Sequence, residues 1–125
     1  MTFQTKMPHE HVDAIAPDGS EIRVLLALSA GSTAHGTLPP GAVSAAVQHR
    51  TVEEIWYVLA GEAEIWRRCG DLESIEQIGP GVSLTIPLGT AFQFRTTSDV
   101  PFQFLMMTMP PWPGEDEAIP VPGAW

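Results

Sequence analysis

Gly41-Ala42-Val43-Ser44-Ala45-Ala46-Val47-Gln48-His49-Arg50-Thr51-Val52-Glu53-Glu54-Ile55-Trp56-Tyr57-Val58-Leu59-Ala60-Gly61 is the stretch on which the fold turns. Residues 43–49 and 54–59 are apolar-rich runs of strand length, separated by a short polar connection that reads as a tight turn. Adjacent strands joined in this way bring His49 and Glu54 toward one interior. In residues 54–59 both parities are largely apolar, so this strand is expected to be covered on both faces, lying centrally or at an interface.

The same punctuation recurs outward from this stretch. Pro17-Asp18-Gly19-Ser20, Pro39-Pro40-Gly41, Gly70-Asp71, Gly79-Pro80-Gly81 and Leu88-Gly89 supply turn chemistry at short intervals. Strands are predicted at 12–16, 21–29, 34–38, 43–49, 54–59, 62–68, 74–78, 82–86, 91–96 and 102–109. No long segment keeps a helical period, so the pattern predicts an all-β barrel or sandwich rather than strand-helix units. The 125 residues are expected to form one domain, 1–125, with an N-terminal arm and first strand over residues 1–20. Prolines 110, 111 and 113 bar residues 109–117 from continuing a sheet, which predicts an irregular tail. Trp112 and Trp125 favour a strap over 110–125 packed across the barrel, since each gains about 2–3 kcal/mol by burial.

Charge excludes some partners. The formal net charge is −9, with six fixed cations, so a nucleic-acid polyanion would be repelled over most of the surface. Arg67 and Arg68 are adjacent on a strand and point to opposite faces, which favours solvated side chains over a phosphate clamp. The apolar runs are shorter than the roughly 18 residues of a membrane span, so no membrane partner is expected. The single Cys69 excludes an internal disulfide, and with no leader-like segment the expected location is the cytoplasm. Cys69 has no histidine near it in sequence and is not expected to be a nucleophile.

Within 41–61, Gly41 is followed after five residues by Val47-Gln48-His49, after four more by Glu54 and after six more by Gly61. Farther on, Gly81 is followed after five residues by Pro87-Leu88-Gly89 and after two more by Phe92. Over residues 41–96 this resembles the two sequence motifs of the cupin superfamily, in which glycines, histidines and a glutamate recur at such intervals. The resemblance implies a double-stranded β-helix, or jelly-roll, barrel. In metal-binding cupins the first motif supplies two histidines and the glutamate, and the second supplies another histidine. Here His49 and Glu54 match two of those ligands, whereas Val47 and Phe92 stand in place of the other two.

Neither valine nor phenylalanine can coordinate a metal, so no barrel metal is expected. The alternative cofactor is a divalent metal such as Zn, Fe, Mn or Ni held by His35, His49 and Glu54, which would require His35 to point inward. An outward His35 is favoured. His9 and His11 share a face but lie near a terminus, where solvation is the expected state.

If the barrel follows the cupin layout, Val47, Trp56, Val58, Phe92 and Phe94 would line an apolar, aromatic pocket, with His49 and Glu54 as its candidate catalytic pair. Such a pocket suits a small-molecule ligand. Two function classes follow: a binding module, or an enzyme of the isomerase, cyclase, lyase or metal-dependent oxygenase kind. A dry pocket predicts either a His49–Glu54 hydrogen bond or a raised Glu54 pKa. Ile55, Tyr57 and Leu59 take the opposite parity and would be uncovered, which predicts a homodimer unless the N-terminal segment folds over them.

Overall fold

In a computed structural model, which describes residues 2–125, the chain forms two antiparallel sheets facing each other across a shared core. Met1, the first residue of the expected arm, lies outside the described residues. The strands are β1 Ala14–Ile15, β2 Glu21–Ala27, β3 Ser32–Leu38, β4 Val47–His49, β5 Glu53–Ala60, β6 Ala63–Cys69, β7 Leu72–Ile78, β8 Ser83–Ile86, β9 Ala91–Thr96, β10 Phe102–Met109 and β11 Ala118–Pro120. One sheet runs β1-β2-β3-β10-β5-β8 and the other β11-β4-β9-β6-β7. The predicted all-β barrel forms, and it is a single domain.

Three elements differ from expectation, each for a local reason. The strand predicted at 43–49 is reduced to Val47–His49 and an isolated bridge from Val43 to Arg95. Between them Ser44 turns its hydroxyl to accept from Phe94 N, and Ala45 N donates to Asp18 O, so the regular ladder is interrupted. The first strand is only two residues long. The tail leaves the first sheet at its prolines and then joins the other sheet as β11 beside β4, with Ala118 opposite His49. Sequence patterning missed β11 because its three residues are too few to show a period.

Strand alternation decides what points inward. Along β5 the buried row is Glu54, Trp56 and Val58, while Ile55, Tyr57 and Leu59 are 36–42% exposed. The expectation that β5 is covered on both faces therefore fails within one chain. The N-terminal segment does not supply the cover: Thr2, Phe3 and Gln4 border a groove with Leu26, Leu28 and Met107, and Phe3 is itself exposed.

The core is an aromatic stack. Trp56 stacks on Phe104 at 4.2 Å between ring centres, Phe104 on Phe102 at 5.1 Å, and Phe94 meets Trp56 edge-on at 5.0 Å. These rings, all buried, fill one end of the barrel. Gly36 is required beneath them, because a Cβ there would sit 2.5 Å from the Phe104 ring. Gly61 turns from β5 to β6 with φ +73°, and a Cβ there would lie 2.4 Å from Pro101 O.

Candidate functional site

The open end of the barrel holds a cavity of about 370 Å³. Val47 and His49 of β4, Glu54 of β5 and Phe92 of β9 reach its wall, bringing together the four positions aligned to the ligand-bearing motif. Val47 and Phe92 are direct cross-strand partners in the β4–β9 pair. Trp56, Val58 and Phe94, expected to line the pocket, do not border it. They belong to the packed core below, among the stacked aromatic rings. The rest of the wall comes from places that motif spacing did not single out as lining: Ile22 and Val24 of β2, Met106 and Thr108 of β10, and Trp112 of the strap. Only Trp112 carried a signal, as a large apolar residue inside a proline-rich tail.

The strap is fixed by its own contacts. Trp112 meets His49 edge-on at 5.2 Å, while its backbone N–H donates to Ser32 Oγ. The Glu117 carboxylate accepts bonds from Thr51 N, Val52 N and the Thr51 hydroxyl, anchoring the strap to the turn between β4 and β5. Gln93 holds the far end: its Nε2 donates to Ser44 O and Trp125 O, and its Oε1 accepts from Ala124 N and Trp125 N.

His49 and Glu54 do not form the expected hydrogen bond, since His49 Nδ1 and Glu54 Oε2 are 3.9 Å apart. Glu54 instead uses Oε1 to accept from Trp56 Nε1 at 2.8 Å. Among the described residues His49 Nδ1 is buried without a hydrogen-bond partner. Burial pushes the Glu54 carboxyl up to about 7; the Trp56 bond opposes this, and the nearby Asp18 and Glu117 carboxyls add to it. Burial also lowers the His49 imidazole to about 4, against the pull of Glu117. Near neutral pH the pair is thus an uncharged imidazole beside a carboxyl close to its titration midpoint. Buried Asp18, on the same wall, has its pKa raised by desolvation, and its Oδ1 accepts from Ser20 N and from the Ser20 hydroxyl.

The donor set is a poor fit for a cupin metal. Two side chains converge, and the two neighbouring positions are hydrocarbon. His35 adds no third donor, because it stands opposite Arg23 and Leu105 on the outer face of β3, whereas Gly36 and Leu38 take the buried row. Desolvation there lowers its pKa. Among the described residues, the one group of three or more metal-ligating side chains is elsewhere: His9, His11 and Asp13.

Arg67 and Arg68 diverge as alternation requires. Arg67 pairs with Glu76 and donates to Thr85 O, and Arg68 lies over the Trp66 ring at 5.3 Å. Cys69 is exposed at the end of β6. No helix among the described residues is long and apolar enough to cross a membrane.

Comparison with known proteins agrees with the geometry. The chain is 32% identical over 110 residues to the uncharacterized protein MJ1618 of Methanocaldococcus jannaschii, covering 84% of this chain and 85% of that one. The crystal structure of a double-stranded β-helix protein from Klebsiella pneumoniae superposes with a TM-score of 0.66 at 18% identity, over 82% of this chain and 84% of that one. KdgF from Halomonas sp. superposes at 0.68 with 17% identity, over 81% and 88%. A Mn(II)-containing oxalate decarboxylase of Bacillus subtilis superposes at 0.65 with 18% identity, over 82% of this chain but 27% of that one. At these identities the solved structures bear on fold alone. The cupin-domain family model matches residues 34–108, from within β3 to within β10, and this span of more than half the chain, carrying both motifs on the barrel described above, makes the protein a member of the cupin family.

Proposed function

We propose that this barrel binds a small, largely apolar molecule, neutral or cationic, at the mouth framed by His49, Glu54, Phe92 and Trp112, and that it does so without the usual cupin metal. The observation that carries the reading is the composition of the cavity wall. Among the described residues its ionisable groups are Asp18, His49, Glu54 and Glu115, and no lysine or arginine borders it. A carboxylate or phosphate ligand would meet acids and a neutral imidazole with no cation to pair it. A donor such as an amine or hydroxyl group would find Glu54 Oε2 free, and the rest of the ligand would face hydrocarbon and aromatic rings. This argues against carrying over the substrate of an oxalate decarboxylase, since oxalate is a dianion.

One observation favours catalysis as a second reading. A carboxyl with a pKa of about 7 beside a neutral imidazole is suited to give and take a proton, as an isomerase, cyclase or lyase requires. A metal-dependent oxygenase would need donors beyond His49 and Glu54.

The proposal extends to assembly and location. A second copy of the chain covers Ile55, Tyr57 and Leu59, a row that shares the outer face with Leu105 and Met107 of the paired strand β10. It also includes a cytoplasmic location from cysteine usage, no nucleic-acid partner from the net charge of −9, and no membrane partner from the shortness of the apolar runs.

The test is native mass spectrometry of untagged protein for a retained ligand, with metal analysis, followed by titration with benzylamine, benzyl alcohol and benzoate as a matched series. The amine and alcohol are expected to bind more tightly than benzoate, with Trp112→Ala weakening both. Preferential benzoate binding would overturn the charge argument.

A further inference from the structure

We infer that the N-terminal arm carries a transition-metal site of its own, made of His9, His11 and Asp13, for an ion such as zinc, nickel or copper. A bend at Glu10 and His11 brings residues 9, 11 and 13 together, and the two imidazoles stack at 4.7 Å with their planes 18° apart. Asp13 Oδ1 stands 2.7 Å from His9 Nδ1 and 3.3 Å from His11 Nε2, and the three ligand atoms all lie within 4.8 Å of one another. Donors on a tetrahedral zinc, with bonds near 2.0–2.1 Å, are separated by about 3.3 Å. Small side-chain rotations therefore take the observed set to a coordinating one.

The support around these donors makes this more than two histidines on a loose tail. Asp13 Oδ2 accepts a 2.8 Å bond from Val24 N, which aims Oδ1 at the imidazoles. Arg23 donates from Nε to His9 O and from Nη2 to Glu10 O, each at 2.8 Å, and Asp13 N donates to Ile22 O. The arm is thus tied to β2 on both sides of His11. Two imidazoles and a carboxylate favour a borderline transition ion over calcium or magnesium, and three protein ligands leave a position open to water. The next residues along the chain, 14–18, form part of the cavity wall, so a bound ion would stiffen the arm that leads into that wall.

The site uses none of the residues assigned to the barrel, and its test separates the two. Zinc chloride and cobalt chloride are titrated by calorimetry and by visible absorption into untagged, chelator-treated protein, beside His11→Ala, Asp13→Asn and His49→Ala variants. The wild type is expected to take up one zinc per chain, with cobalt developing a four- or five-coordinate absorption band. His11→Ala and Asp13→Asn, at exposed positions, should leave the circular dichroism spectrum unchanged and weaken zinc at least about tenfold. His49→Ala should bind as the wild type does. Hydrogen exchange at 9–13 should slow when zinc is added. Absence of binding at 100 µM zinc, or affinity unchanged by His11→Ala and Asp13→Asn, would overturn the arm site. Zinc lost on His49→Ala alone would move the ion into the barrel, overturning the arm site and the metal-free reading of the barrel together.

Discussion

The Trp56 indole donates its 2.8 Å hydrogen bond to the Glu54 carboxyl from two residues along the same inward row of β5. One bond therefore satisfies the buried indole, takes one carboxyl oxygen out of the cavity and leaves the other free. Trp56→Phe removes the donor while keeping a ring in the stack. It should cost about 1–3 kcal/mol of stability and raise the Glu54 midpoint further above the carboxylate range. Carbon NMR of the Glu54 side chain through a pH titration checks the shift, and an unmoved midpoint would deny that this bond tunes the acid.

Glu54 itself predicts an alkaline loss of stability. The folded carboxyl keeps its proton up to about pH 7, whereas an unfolded one releases it near 4.5, so the folded state binds more protons between these values. Stability falls as pH rises across this window. The full cost, up to about 3 kcal/mol, is present above pH 7, and none remains below 4.5. Glu54→Gln should therefore raise the melting point at pH 8 but not at pH 4.5. An equal offset at both would show an ordinary carboxyl. His49 has the opposite slope: its folded ring stays neutral down to about 4 while an unfolded one protonates near 6.5, so stability falls as pH drops from 6.5 to 4.

Val47 and Phe92 offer a gain-of-function check. They oppose each other across β4 and β9 and share the cavity wall with His49 and Glu54. Val47→His with Phe92→His should raise zinc, nickel or cobalt affinity at least about 100-fold, because the donor set grows from two to four. The comparison belongs in a His9→Ala, His11→Ala background, so that calorimetry reads the barrel alone. Unchanged affinity there would mean that the four side chains do not converge.

How much of this was legible in the sequence depended on whether local or distant residues decided it. The turn glycines are local, so the strands could be read directly, whereas both parities of residues 54–59 are apolar and the inward row of β5 followed only from the motif that turns Glu54 inward. Motif spacing also brought Val47, His49, Glu54 and Phe92 to one wall. Trp56, Val58 and Phe94 share the inward parity yet do not line the cavity, because parity gives a face but not a depth. The depth of Trp56 and Val58 is set by Phe102 and Phe104, about 45 residues farther along, and Phe94 packs on the same rings. The convergence of Asp13 with His9 and His11 was likewise hidden, since it depends on Val24 and Arg23 from the next strand.

The exposed row on β5 predicts the state of association. Ile55→Glu with Tyr57→Glu places charges on the outer face without touching the inward row. Light scattering at micromolar concentration should give twice the single-chain mass for the wild type and the single-chain mass for the variant. A wild type that stays monomeric would leave this face as ordinary apolar surface.

The His49–Glu54 pair separates binding from catalysis. Both residues are buried and line the cavity, and their 3.9 Å separation leaves each without the other as a hydrogen-bond partner. If a proton moves through them during turnover, His49→Ala and Glu54→Gln should each slow the reaction by roughly 10²-fold or more, the usual contribution of a positioned acid or base. A bell or shoulder near pH 7 in the rate should disappear in Glu54→Gln, since that carboxyl titrates at about 7. If the cavity only binds, the same substitutions should change affinity by about 1–3 kcal/mol, the cost of one unmade buried hydrogen bond. The binding of benzylamine should then weaken in Glu54→Gln more than that of benzyl alcohol, because only the amine brings a positive charge to the carboxylate. Equal binding of both probes by both variants, beside an altered melting point, would reduce His49 and Glu54 to buried framework and shift the search for polar contacts to Asp18 and Glu115 on the same wall.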